Sequence, residues 1–301
     1  MSAATHPLPA PLARAFHSAP LAALVSPWGG RLAESLPLVL ASSAFFWGLH
    51  YLGYAFACRR LFPGASADAS LAKKRRDFAM LCVGFAHAVF ACAGSLYVLA
   101  TRPADYFDDI VYGDPDARLH PLVAVSVGYF LWDAGVCALH RCAPAFWAHA
   151  WACLLVFAFA LHPVFLPMAP LFLLRELSTP FLNARGVLLL LKRTDTALFK
   201  ACEQLFGVTF LLSRIAMGVP VSVLWWRAVA PRVAGHFGWY GPEVAASPEY
   251  SLHSAGIVCF FMGADVLLTV LNVVWSRKIV RMAVGAPRKP RMRAKRSGST
   301  A

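Results

Sequence analysis

Two arginines, Arg175 and Arg214, and four acids, Asp133, Glu176, Glu203 and Asp265, lie in or beside stretches of sequence that are otherwise almost wholly apolar. A charge in hydrocarbon is costly unless it is paired or wet, so such residues are functional candidates. Their spacing is ordered. Asp133, Cys137 and His140 recur at i, i+4 and i+7, which is one face of a helix. His149 and Cys153 share a face in the next run. Asp265, Thr269, Asn272 and Ser276 form a stripe at i, i+4, i+7 and i+11. The segment Leu174-Arg175-Glu176-Leu177-Ser178-Thr179-Pro180 is polar where lipid contact would forbid it. Two readings fit this set. In one, the faces converge on a polar cavity that accepts a lipid head group or an acyl donor, with Arg175, Glu176, Ser178, Arg214, Asp265 and Asn272 among its walls. In the other, the charges pair only to fix helix register, Asp133 or Glu176 with Arg175 or Arg214, because an unpaired buried charge is the costly state.

Other chemistries are set aside by pattern. The histidines form no HxxxH or HxxHH box for a di-iron site, and there is no GxSxG elbow, P-loop or GxGxxG. The eight cysteines contain no CxxC and read as small hydrophobes. No metal or resident cofactor is expected.

The elements that must position these residues follow from composition. The chain has 301 residues, 59% of them hydrophobic and only 14% charged, against roughly 25% charged in a soluble domain. That excludes a disordered chain and argues against a soluble enzyme. The predicted fold is all-α: a multi-pass membrane bundle with seven candidate spans at 36–58, 78–100, 121–140, 146–162, 164–182, 201–226 and 254–276. The fourth and fifth are broken near His162 and Pro163, and one span plus a re-entrant piece is the alternative reading. Residues 1–35 read as a loop-like segment, 36–282 as the transmembrane domain and 283–301 as a basic tail.

The net charge of +13 is uneven, with nine cations between Arg277 and Arg296. Basic residues also gather after spans 1, 3 and 5, whereas the loop after span 2 is acidic. The positive-inside rule then gives a lumenal N-terminus and a cytosolic C-terminus, and an odd number of spans. The tail reads as a juxtamembrane anchor, not a nucleic-acid stripe. The acid-poor, Arg-bearing start leaves a mitochondrial membrane as the alternative location. No internal repeat supports a transporter, and the stripe from Asp265 is the one feature favouring a channel.

From Val111 to about Met282 the chain resembles the TLC-domain family, which includes ceramide synthases and translocating-chain-associated membrane proteins. The resemblance is carried by Tyr112-Gly113-Asp114-Pro115, by Gly128-Tyr129-Phe130-Leu131-Trp132-Asp133, by Phe146-Trp147-Ala148-His149, by Glu176 to Asn183, and by Asp265-Val266 with Leu271-Asn272-Val273-Val274-Trp275. It implies a ring of six helices around a central cavity, usually in the endoplasmic reticulum, and work on or sensing of membrane lipids. Ceramide synthases carry adjacent histidines where this chain reads Ala148-His149-Ala150. The expected function is therefore lipid binding or sensing and membrane lipid homeostasis. The alternative is an N-acyltransferase with acyl-CoA as co-substrate, His149 as general base and Asp133 orienting its ring. Membrane lipids are the expected partners, with no nucleic acid, and a homo-oligomer is compatible with both readings.

Overall fold

A computed structural model describes residues 30–64, 68–161, 164–239 and 255–283. The rest of the N-terminal segment, most of the basic tail, and His162 with Pro163 lie outside the described residues.

Among the described residues the chain is helical and has no strand. Helix α1 (Gly30–Phe56) runs into a π-helical turn (Ala57–Leu61), and α2 is Ala69–Ala100, α3 Leu119–His140 and α4 Pro144–Ala160. A broken segment follows: a 3-10 turn (Leu166–Met168), α5 (Ala169–Leu173), a second 3-10 turn (Leu174–Ser178) and α6 (Thr179–Leu190). Then α7 (Ala197–Phe210), a π-helical stretch (Leu211–Met217) and α8 (Gly218–His236) form one continuous rod, and α9 is Ala255–Ala283. Five stretches are long and apolar enough to cross a bilayer, and α4 is a sixth apolar helix of 17 residues. The count of seven thus rests on counting α4 and the broken segment as crossings.

Most helices overrun the apolar runs that announced them. Helix α1 starts at Gly30, inside the segment expected to be loop, because Leu32, Ala33 and Glu34 favour helix. Helix α2 starts at Ala69, nine residues before the apolar run. The Asp68 carboxylate caps it by accepting from the Ser70 and Leu71 amides at 2.8 and 3.2 Å. Arg75 is 3% exposed and donates to the carbonyls of Phe62 (2.7 Å) and Gly64 (3.1 Å), satisfying the end of α1. Part of that basic loop is therefore structural.

The packing closes into a ring. Helix α3 lies on α4, α4 on α9, α9 on the α7–α8 rod, α7 on α6, α6 on α2 and α2 on α3, while α1 packs outside against α2 and α3. The α1–α3 approach is close because Gly128 faces Ser42: a Cβ there would sit 2.6 Å from the Ser42 Cβ and 2.7 Å from the Val39 carbonyl oxygen. Helix α5 sits inside, touching α2, α3 and α8. Ion pairs tie both ends of the rod to neighbours: Arg185 to Glu203 at 2.9 Å and Arg232 to Asp109 at 3.9 Å. Positions 203 and 232 are about 44 Å apart at the helical rise. A bilayer measures about 40–45 Å between its head-group regions.

The broken segment has a chemical cause. Pro167, Pro170 and Pro180 each open one of its pieces. Pro180 has no N–H to give the Glu176 carbonyl, so α-helical pairing lapses there and Leu174–Ser178 tightens into a 3-10 turn. That turn carries Arg175 and Glu176 into the ring.

Candidate functional site

Seven of the residues singled out by sequence line one cavity: His149 and Cys153 from α4, Arg175 and Glu176 from the 3-10 turn, Arg214 from the π-helical stretch, and Asp265 and Asn272 from α9. Its remaining walls are apolar, among them Phe130, Phe157, Phe172, Leu173, Trp225, Phe261 and Leu268. The cavity measures about 60 Å3. One water needs about 10–15 Å3 by this measure, so the space fits a few waters or a short length of alkyl chain.

The charges meet in two adjoining pairs. Arg214 reaches Glu176 at 3.1 Å and the Asn272 amide oxygen at 3.2 Å, while Thr179 donates its hydroxyl to the other Glu176 oxygen at 2.6 Å. Arg175 lies 3.5 Å from Asp265. Ser222 bridges them, accepting from Arg175 at 2.7 Å and donating to Asp265 at 2.8 Å. Trp226 donates its indole N–H to the second Asp265 oxygen at 3.0 Å, and Arg175 also reaches the Gly218 carbonyl at 3.2 Å. Gly218 permits this approach, since a Cβ would meet the Arg175 Nε at 3.3 Å. Both guanidinium groups stack over rings, Arg175 on Phe172 at 4.6 Å and Arg214 on Phe210 at 5.2 Å. Arg214 and Ser222 straddle the midpoint between the rod's two terminal ion pairs, so the network lies about midway along the rod. Each charge has its partner, as the register-fixing reading requires, and the same groups wall a cavity. Three donors on cavity residues are left over: Arg175 Nε, Arg214 Nε and Trp225 Nε1 are buried with no acceptor.

Two expected site residues stand elsewhere. Asp133 lines a different pocket, with Tyr129, Thr179 and Asn183, and makes no hydrogen bond to His149. One helix face does set Asp133, Cys137 and His140 in line, but α3 turns Asp133 toward α2 and α6, away from α4. Ser178 is 1% exposed at the end of the 3-10 turn and is not among the cavity walls. The neighbours of His149 are instead the Cys153 thiol, 3.7 Å from Nε2, and the edge of Trp275 at 5.7 Å between centroids. Among the described residues no cluster of three metal-ligating side chains occurs.

Ser222 and Trp226 were not foreseen, and Thr179 stood out only as a member of the polar segment 174–180. A signal for the first two lay in the sequence, because Arg214, Gly218, Ser222 and Trp226 step by four along one rod. Serine and tryptophan are ordinary in a membrane helix, so only the partner's position gives them meaning.

Outside the spans, the loop between α2 and α3 is fastened to the broken segment. The Tyr106 hydroxyl donates to the Pro167 carbonyl at 3.0 Å, and Phe165 N–H donates to the Val111 carbonyl at 2.7 Å. Burial pushes the Tyr106 phenol above its ordinary range. Hydrogen bonds from Arg118 hold the Asp116 carboxyl below the usual carboxylate range. Arg118 also donates to the Thr101 hydroxyl at 2.6 Å.

Comparison with known proteins agrees with this architecture. The family model described as the TLC domain, of the TRAM, LAG1 and CLN8 group, matches residues 77–281. The match starts at α2, well before Val111 where the recognisable motifs begin. TLC domain-containing protein 4-B of Danio rerio is 30% identical over 217 residues, covering 69% of this chain and 74% of that protein. TLC domain-containing protein 2 of Homo sapiens is 32% identical over 186 residues, 59% of this chain and 66% of its own. An uncharacterized TLC domain-containing protein of Schizosaccharomyces pombe is 25% identical over 215 residues, 71% of this chain, and the match spans only 63% of the yeast protein. A helical ring with its paired charges turned inward, and a family match running from α2 into α9, lead to one conclusion: this membrane protein belongs to the TLC-domain family.

Proposed function

We propose that the protein binds a membrane lipid in its central cavity and serves membrane lipid homeostasis as a lipid-sensing or lipid-handling component. The observation that carries this reading is the mixed wall about midway along the rod. Apolar rings surround a neutral set of two cations and two anions, and three N–H donors there lack acceptors. Ester and amide carbonyls are the acceptors a lipid brings to such a wall, and its chain is what aromatic walls accept. The proposed location is the endoplasmic reticulum membrane with a lumenal N-terminus and seven crossings; reporters at both ends would land on opposite sides. The decisive measurement is native mass spectrometry of the full chain purified in detergent. Wild type retains lipid, and Leu268→Trp, which fills the cavity and leaves all four charged residues in the sequence, loses most of it. Wild type that carries no lipid under any mild extraction overturns the reading.

A second reading, acyl transfer from acyl-CoA to an amine or hydroxyl, is favoured by one observation: His149 lies on the cavity wall, with an imidazole that no carboxylate holds. In that reaction His149 takes the proton of the attacking nucleophile as its N or O bonds the acyl carbon, the C–S bond breaks, and the proton passes to the departing CoA thiolate. Microsomes supplied with acyl-CoA and long-chain bases would gain N-acylated product, and His149→Ala would lose it. Absence of product from every amine and alcohol tried removes this reading.

A further inference from the structure

A second polar recess lies apart from the central cavity, where α1, α2 and α3 meet at the end of the bundle capped by Arg75. His50 reaches it from α1, Arg76 from α2 and His140 from the last position of α3. Trp47, Tyr51 and Tyr54 form its aromatic side. The recess is roomier than the cavity, at about 290 Å3. Its walls contain three basic side chains from three helices and no acid. The nearest carboxylate, Asp77, is taken by Lys73 at 2.7 Å.

None of the three basic groups forms an ion pair with a carboxylate among the described residues. Arg75 is fully used on the Phe62 and Gly64 carbonyls, yet its neighbour Arg76 makes no hydrogen bond or ion pair among the described residues. His50 is buried and its Nδ1 has no acceptor. Arg76 brings a positive charge to a recess whose walls carry no opposite one, and a negative group that joins it removes that cost. The depth says what that is. Arg76 is about 10 Å along α2 from its start, and His140 ends α3, so the recess sits at the level of head groups. Tryptophan and tyrosine favour the same level.

We infer that this recess binds a phosphate group, that of an anionic lipid head, with Arg76 as the forked donor and His50 and His140 beside it. A guanidinium presents two parallel N–H bonds that match phosphate oxygens, and the aromatic side covers the glycerol and first methylenes. The site is separate from the central cavity and does not depend on what that cavity holds.

The test uses the full chain in phosphatidylcholine nanodiscs doped with phosphatidic acid or with diacylglycerol of the same chains, read by native mass spectrometry. Wild type retains phosphatidic acid over diacylglycerol. Arg76→Gln lowers that retention about tenfold, the loss of one charge-assisted bond. Arg60→Gln, the same charge change outside the recess, leaves it unchanged, and so does the cavity-filling Leu268→Trp. Should Arg76→Gln fail to fold, His140→Gln at the exposed helix end supplies the same comparison. A parallel arm adds inorganic phosphate to protein in neutral detergent and follows the melting temperature. A rise in wild type that is absent in Arg76→Gln supports the site with a soluble phosphate as occupant, and no rise alongside phosphatidic acid retention supports the lipid. Equal retention of the two lipids, or an equal loss in Arg60→Gln and Arg76→Gln, overturns the inference.

Discussion

The α1–α4 half of the bundle and the half from Leu166 to Ala283 solve the same problem differently. In the first, the helices are regular apart from the π-helical turn that ends α1, and contact is made by rings and small residues. His87 lies flat on Tyr129 at 3.7 Å, Phe130 on Phe157 at 5.2 Å, and Gly128 against Ser42. In the second, two ion pairs are held by the two least regular stretches, a 3-10 turn and a π-helical turn. Where only shape has to match, α-helix suffices. Where a guanidinium has to meet a carboxylate at one point in hydrocarbon, the backbone departs from α-helix to aim it.

Breaking the charged half is expected to do most damage. Arg214→Leu leaves Glu176 buried with only Thr179, and stability falls by about 3–5 kcal/mol in a detergent melt. The double change Arg214→Leu with Glu176→Leu recovers most of that. A double variant no better than the single one would mean that these charges do more than neutralise each other.

The regular half responds to volume. Gly128→Leu forces α1 off α3 and costs about 1–3 kcal/mol by the same melt. A silent substitution would show that α1 is loosely attached. His87→Phe sharpens the contrast in the opposite direction. His87 is fully buried and both ring nitrogens lack partners, so an apolar ring of similar shape gains about 1 kcal/mol. A loss of stability would show that the imidazole does have a polar role.

The smallest effect lies in the loop between α2 and α3, which is hydrogen-bonded to the broken segment. Asp116 is held below its unfolded value by Arg118. The stability it adds is present above the ordinary carboxylate range and lost as pH falls through the lower, folded value. Amide exchange of residues 101–118 is therefore expected to rise slightly below about pH 4, and Asp116→Asn to abolish that dependence.

How much of this was legible follows the same division. Length and hydropathy located each long helix, because crossing hydrocarbon demands a visible run of apolar residues. The helix ends ran past those runs, because a cap such as Asp68 or a carbonyl-seeking Arg75 prolongs order beyond the oily part. Arg175, Glu176, Arg214, Asp265 and Asn272 stood out as costly residues in the wrong solvent, and they converge. Asp133 stood out equally and belongs elsewhere. Periodicity says which residues share a face, and only packing says what the face looks at. Which acid meets which arginine depended on the 3-10 and π-helical irregularities, which leave no periodic trace.

The π-helical stretch from Leu211 to Met217 bears on how this chain tolerates insertions and deletions. A wide turn holds one more residue than the rise accounts for, so it sets the azimuth of everything after it. Removing a single residue beyond it, between Gly218 and Ser222, would swing Ser222 and Trp226 through about 100° about the rod axis, away from Asp265. Side chains along the oily exterior of the rod are interchangeable with one another; the tally of residues between Arg214 and Ser222 is not.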